Sequence, residues 1–106
     1  MSVHFCVAGN IEEALISEHH LEFDEELHEF LYKNRYRLPD KSDLLIGLDP
    51  YGDRILGVED IRTLIEICGY LREEFNEAEV KSFANKLLSL CELALEHSSS
   101  IVALGD

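Results

Sequence analysis

Two long apolar stripes, separated by only a few residues, dominate the C-terminal half of this sequence. Ile61, Leu64, Ile65, Cys68, Leu71 and Phe75 keep the 3.6-residue period of an amphipathic helix over 59–75. Val80, Phe83, Ala84, Leu87, Leu88, Cys91, Ala94 and Leu95 do the same over 77–97. Asn76, with Glu79 three residues on, reads as the N-cap of the second helix. Two helices joined so tightly pack as an antiparallel hairpin. The chain therefore folds around that hairpin, and every other segment is read by what it adds.

A third stripe, Phe23, Leu27, Phe30 and Leu31, predicts a helix over 24–32. Asp24, Glu25 and Glu26 fall in its first turn and Lys33, Arg35 and Arg37 follow its last, the arrangement that a helix dipole favours. Pro39 blocks continuation. Asn10 and Glu13 have the spacing of a capping box for a short helix. Residues 40–48 read as one short turn of helix with Leu44, Leu45 and Leu48 inward. Residues 2–8 are rich in strand formers, as are Ile101–Leu104, and the two segments pair across one side of the helices. Arg54–Gly57 is a brief extended piece, and Ser98-Ser99-Ser100 ends the last helix. The fold expected is mainly α, with α+β as the alternative: a helical bundle or hairpin with at most a small sheet from the terminal segments. At 106 residues the chain is expected to form one domain, 1–106.

Charge narrows the function. The formal net charge is -13, and residues 1–32 hold no Lys or Arg but eight acids: Glu12, Glu13, Glu18, Glu22, Asp24, Glu25, Glu26 and Glu29. Nucleic acid and anionic membranes both call for a basic surface, so neither is expected as a direct partner. No apolar run approaches the roughly 20 residues that span a bilayer. The apolar N-terminus lacks a basic leader and meets Asn10 at once, so it does not read as a signal peptide. Cys6, Cys68 and Cys91 are widely spaced and form no CxxC pair, which suits reduced thiols in the cytoplasm. Cys68 and Cys91 lie on the apolar stripes and read as small core residues.

No catalytic motif has the right spacing. His19-His20 with Glu22 or Asp24 does not converge on a metal. In an EF-hand register starting at Asp49, Tyr51 and Arg54 fall where an acid and Gly are needed. Phosphate loops and nucleophile elbows are absent from the sequence. The expectation is a binding protein and not an enzyme, with no cofactor and no metal.

The strongest turn signal is Asp49-Pro50-Tyr51-Gly52-Asp53. Pro50 presets φ at the turn's second position, Gly52 permits positive φ, Asp49 and Asp53 bond local amides, and Tyr51 packs at the core's edge. Together with Leu48 and Arg54 it resembles a motif of small acidic bacterial immunity-like proteins, which neutralise toxins. Their usual form is an apolar residue, Asp-Pro-Tyr-Gly-Asp, Thr and an aromatic, then an amphipathic helix. Here Arg54 replaces Thr, and Ile55-Leu56 stands at the aromatic position. The resemblance spans about residues 43–75 and transfers no binding residue. It implies a toxin-neutralising binder, and the acidity points to a cationic protein as partner, a nuclease domain above all. Glu22, Asp24, Glu25, Glu26 and Glu29 are the expected steering or contact acids, with Tyr32 and Tyr36 as buried anchors. A cytosolic regulatory or adaptor module and a homo-oligomer subunit are the other classes open to such a chain.

Overall fold

The computed structural model describes residues 2–105. The two end segments pair as expected. Strand β1 (Val3–Ala8) runs antiparallel to β4 (Ser100–Leu104), with Phe5 opposite Ala103 and Val7 opposite Ile101. Two interior segments extend this pair. β2 (His20–Phe23) adds to the free side of β1, and β3 (Arg54–Leu56) to the free side of β4. The sheet order is β2-β1-β4-β3, antiparallel throughout. The fold is α+β. The small sheet expected of an α+β fold is present, but it does not come from the terminal segments alone: two of its four strands lie inside the chain. β2 carries little signal in the sequence because it is only four residues long and Phe23 at its end also fits the α2 stripe.

The hairpin lies against one face of the sheet. Helix α4 (Val58–Glu74) and helix α5 (Ala78–Glu96) bury the residues that carry the sequence period, among them Leu64, Cys68, Leu71, Leu87, Cys91 and Ala94. Phe5, Phe23, Leu56 and Ile101 supply the sheet's share of this core. Between the helices Phe75 adopts an extended conformation and is wholly buried. The helix start differs from expectation by one residue. Glu77, not Asn76, is the N-cap of α5, and no side chain closes the cap. The chain's other reversal is tighter. After α5, Ser98 takes φ 52°, and the amides of Ser98 and Ser99 donate to Leu95 and Ala94 carbonyls at 3.1 and 2.8 Å. This is a Schellman closure with serine where glycine is usual, and it turns the chain directly into β4.

The opposite face of the sheet has a thinner cover. Short helix α1 (Ile11–Leu15) sets Ala14 against Cys6, Ala8 and Val102. The capping pair holds its start: Asn10 Oδ1 accepts from the Glu13 amide at 2.8 Å, and Glu13 Oε2 accepts from the Gly9 amide at 2.8 Å. Five residues cannot cover four strands, and Leu15 and Ile16 are left 71 % and 84 % exposed.

Helix α2 (Glu25–Lys33) matches its predicted range, with Leu27 and Leu31 buried. Phe23 is reassigned. It ends β2, fully buried, and stacks on His28 at 4.5 Å and on Phe83 at 4.8 Å. Phe23 precedes the cap residue Asp24, and His28 is the fourth helical residue, so the contact is a hydrophobic staple. A staple mimics an extra helical repeat in sequence, so Phe23 continues the apolar stripe without belonging to the helix. A 3-10 turn, Arg35–Arg37, follows. Its two arginines serve different helices. Arg35 donates to the Tyr32 carbonyl in the last turn of α2 at 2.7 Å, whereas Arg37 donates to the Glu74 carbonyl at the end of α4 and lies over the Phe75 ring at 4.2 Å. A second 3-10 turn (Asp40–Ser42) leads into helix α3 (Asp43–Ile46), which buries Leu45 and Ile46. Leu48 is buried as expected, while Leu44 is only partly so.

Candidate partner-binding surface

The acids expected to meet a partner do not form one patch. Glu22 stands exposed on edge strand β2. Asp24 caps α2, its Oδ1 accepting from the Leu27 amide at 2.8 Å, so part of its carboxylate is committed to the helix. Glu22, Asp24 and Glu26 line a shallow depression between α2 and the start of α5, of about 520 Å³, which also contains Phe83 and Lys86. Lys86 places a cation among these acids and weakens the case for a basic partner there.

Glu25, Glu29 and Tyr32 sit at i, i+4 and i+7 along α2 and share its other exposed flank. They line a separate notch of about 440 Å³. His28, Ile46, Gly47 and Leu48 line it as well, together with Pro50 and Tyr51 of the turn. No Lys or Arg lines this notch among the described residues. Tyr32 is 51 % exposed and Tyr51 68 %. Tyr36, 80 % exposed in the first 3-10 turn, lines neither hollow. None of the tyrosines expected or found here is buried by the fold, so any anchoring role waits on a partner.

Two contacts fix the notch's width. His28 donates from Nε2 to the Ile46 carbonyl at 2.6 Å, tying α2 to the end of α3. On the other side the Asp49–Gly52 turn closes with the Gly52 amide donating to the Asp49 carbonyl at 3.2 Å, and Asp49 Oδ1 accepts from the Tyr51 amide at 2.9 Å. The local role expected of Asp49 is thus observed. Three other expectations for this turn are corrected. Gly52 has no positive φ, because it occupies the last position of the turn, where glycine is common without left-handed geometry. Asp53 bonds no local amide: its Oδ1 accepts from the Gly105 amide at 3.0 Å. Tyr51 projects outward and does not pack at the core's edge.

Gly105 packs closely against this turn. A Cβ at that position would lie 2.6 Å from the carbonyl oxygens of both Pro50 and Gly52. The turn is therefore clamped against the backbone that follows β4, and only glycine fits so close. Nothing in the sequence pattern marks a contact between residues 50 and 105. The turn motif was legible, but its clamp and its exposed tyrosine were not.

Two carboxylates line the notch, and cations stand close to two of its lining residues. The Lys33 ammonium lies 2.9 Å from Glu29, and this hydrogen bond, then its charge, holds the Glu29 carboxyl below the usual carboxylate range. Both partners are largely solvent-exposed, so the pair exchanges readily and contributes little to stability. Elsewhere Arg35 lies over the Tyr32 ring at 4.1 Å, so this ring already accepts a guanidinium.

Other sequence-level candidates are structural or dispersed. Among the described residues no three His, Cys, Asp or Glu side chains gather in a way that would hold a metal ion. His20 begins β2, and the His19 carbonyl accepts from the Val7 amide at 3.0 Å. All three cysteines are free and buried, and burial pushes the thiols of Cys68 and Cys91 up to about 12. No described helix is long and apolar enough to cross a membrane. No family model, curated protein or solved structure matches this chain.

Proposed function

We propose that this protein is a cytoplasmic immunity protein that binds a basic toxin domain, a nuclease in the first instance, and blocks its active site. It acts by binding, without catalysis, cofactor or metal. The observation that supports this reading is the notch: Glu25 and Glu29 share one concavity with the exposed rings of Tyr32 and Tyr51, and among the described residues no Lys or Arg lines it. Nuclease surfaces are basic because their substrate is a polyanion. The acids speed encounter with such a surface, and exposed aromatics that become buried supply most of the affinity. The Asp-Pro-Tyr-Gly-Asp resemblance supports the same reading, with the difference that Tyr51 of the motif belongs to the contact surface.

The test is co-expression of a basic toxin domain encoded beside this gene, followed by binding measured across salt concentrations. Rescue of growth, with association slowing steeply as salt rises, is the expected result. Equal killing with and without the protein would refute the reading. One observation favours an adaptor or regulatory module instead: the exposed pair Leu15 and Ile16 suits an apolar partner. Binding through that patch would be nearly indifferent to salt.

A further inference from the structure

A groove separate from the notch runs between α2 and the first turns of α5. It consists of two hollows, of about 520 and 490 Å³, that share Glu26, Leu27, Ala78 and Glu79. The second adds Phe30, Glu77 and Val80. Leu27, Val80 and Phe83 are buried, Leu21 and Phe30 keep part of their surface in solvent, and Glu22, Glu26, Glu77 and Glu79 are exposed. Apolar surface and exposed carboxylates thus line the same groove. The carboxylates of Glu22, Glu26, Glu77 and Glu79 make no hydrogen bond or ion pair among the described residues, unlike Glu29 and Glu66, which are held by Lys33 and Lys41. A cation arriving at the groove therefore displaces no internal ion pair.

With Asp24, five carboxylates line the groove against one ammonium, that of Lys86. Lys86 lines only the hollow next to β2, and the hollow beside Phe30 has no Lys or Arg among its lining residues. Arg37 stands one ring further off. It covers Phe75, which meets Phe30 edge-on at 5.8 Å, and its guanidinium donates to the Glu74 carbonyl.

We infer that this groove is a second docking surface, and that its occupant is a short cationic amphipathic segment of a partner protein. Apolar side chains of the segment pack on Leu21, Leu27 and Phe30, and Lys or Arg beside them meet Glu26, Glu77 and Glu79. Charge complementarity selects this occupant. An acidic segment would bury the same apolar area but would meet like charges, and a second copy of this chain, at net charge -13, is disfavoured for the same reason. Lys86 sets the direction: the basic residues lie toward Phe30 and Glu77, away from β2. The inference goes beyond the immunity reading, since it needs no toxin and uses no residue of the notch.

The test titrates the whole chain with the peptide acetyl-Lys-Leu-Lys-Phe-Lys-amide while the Phe30 ring and the Leu27 and Ala78 methyl groups are followed by NMR. Saturable shifts at these three are expected. Serine in place of the peptide's Leu and Phe should weaken binding about tenfold, because the apolar contact is lost. Glutamate in place of each peptide Lys should give no saturation. Glu77→Gln with Glu79→Gln should weaken binding about two- to thirtyfold, the range of two exposed ion pairs. Lys86→Gln should strengthen it. Tyr51→Ala in the notch and Glu92→Gln further along α5 should leave it unchanged. All the replaced side chains are exposed, so the variants keep the fold. Equal binding of the serine peptide, saturation by the glutamate peptide, equal weakening by Tyr51→Ala or Glu92→Gln, or the absence of shifts at Phe30 would overturn the inference.

Discussion

The α4–α5 hairpin and the α2–turn surface are made by different means. In the hairpin the periodic residues are inside: Leu64, Leu71, Leu87 and Cys91 have no solvent exposure. It is held by area and close packing, which tolerate no missing volume. Across α2 and the Asp49–Asp53 turn, the geometry comes from single hydrogen bonds: Asp24 to Leu27, His28 to Ile46, Asp49 to Tyr51 and Asp53 to Gly105. Tyr32 and Tyr51 there point out, while Leu27 and Leu31 anchor α2 to the core. One region holds the fold together, and the other holds a few side chains where a partner can reach them. That division can be tested.

The largest expected effect is on the hairpin at alkaline pH. Burial raises the thiols of Cys68 and Cys91 from an ordinary 9.0 to about 12, and in the unfolded chain they return to the ordinary value. Their folded pKa is the higher one, so their stabilising contribution is complete below about pH 9 and is lost as the pH climbs toward 12. The loss amounts to about 4 kcal/mol per thiol at the top of that window. The two are not independent, since Cys68 also raises Cys91. Urea melts at stepped pH should show the decline, and a Cys68→Ala, Cys91→Ala variant should show a shallower one. An identical decline would place the alkaline weakness outside the hairpin. Next comes Leu87→Ala, which leaves a void in the core and should cost about 2–5 kcal/mol by chemical denaturation. It should leave the notch unaltered, as the tyrosine resonances would report.

Smaller effects sharpen the contrast within the turn. Gly105→Ala forces a methyl against two backbone carbonyls and should cost about 1–3 kcal/mol. Gly52→Ala meets only the Asp49 carboxylate, 3.3 Å away, at ordinary φ, and should change stability by less than about 0.5 kcal/mol. Thermal melts of the two variants decide the matter. If Gly52→Ala were the more damaging, the turn would depend on its own conformation and not on its clamp.

The same contrast explains what could be read from the sequence. The hairpin was legible because burial writes a period into the chain, and α2 was legible through both its period and its charge order. The pairing of β1 with β4 followed from composition. β2 was hard to read because it is only four residues long and Phe23 at its end also fits the α2 stripe. The staple from Phe23 to His28 mimicked helix periodicity. The one-residue shift from Asn76 to Glu77 lies within the slack of any cap rule. For the site, the acids and Tyr32 were named, but their partition into two hollows depends on where α2 lies between α3 and α5. That placement is a tertiary fact with no periodic signature. Tyr51 was assigned to the core because a turn residue's direction is set by the turn's clamp, here a glycine 54 positions away in sequence.

The central claim is that recognition sits on the notch and is separable from stability. The most direct measurement takes the Glu25→Gln, Glu29→Gln, Tyr51→Ala variant and determines both its urea midpoint and its association rate with the basic toxin domain. Each of the three side chains is exposed, so the midpoint should stay within the error of the unaltered protein. Association should slow at low salt, and its salt dependence should flatten. A variant that binds as fast as before, with the same salt dependence and an unchanged midpoint, would contradict the account.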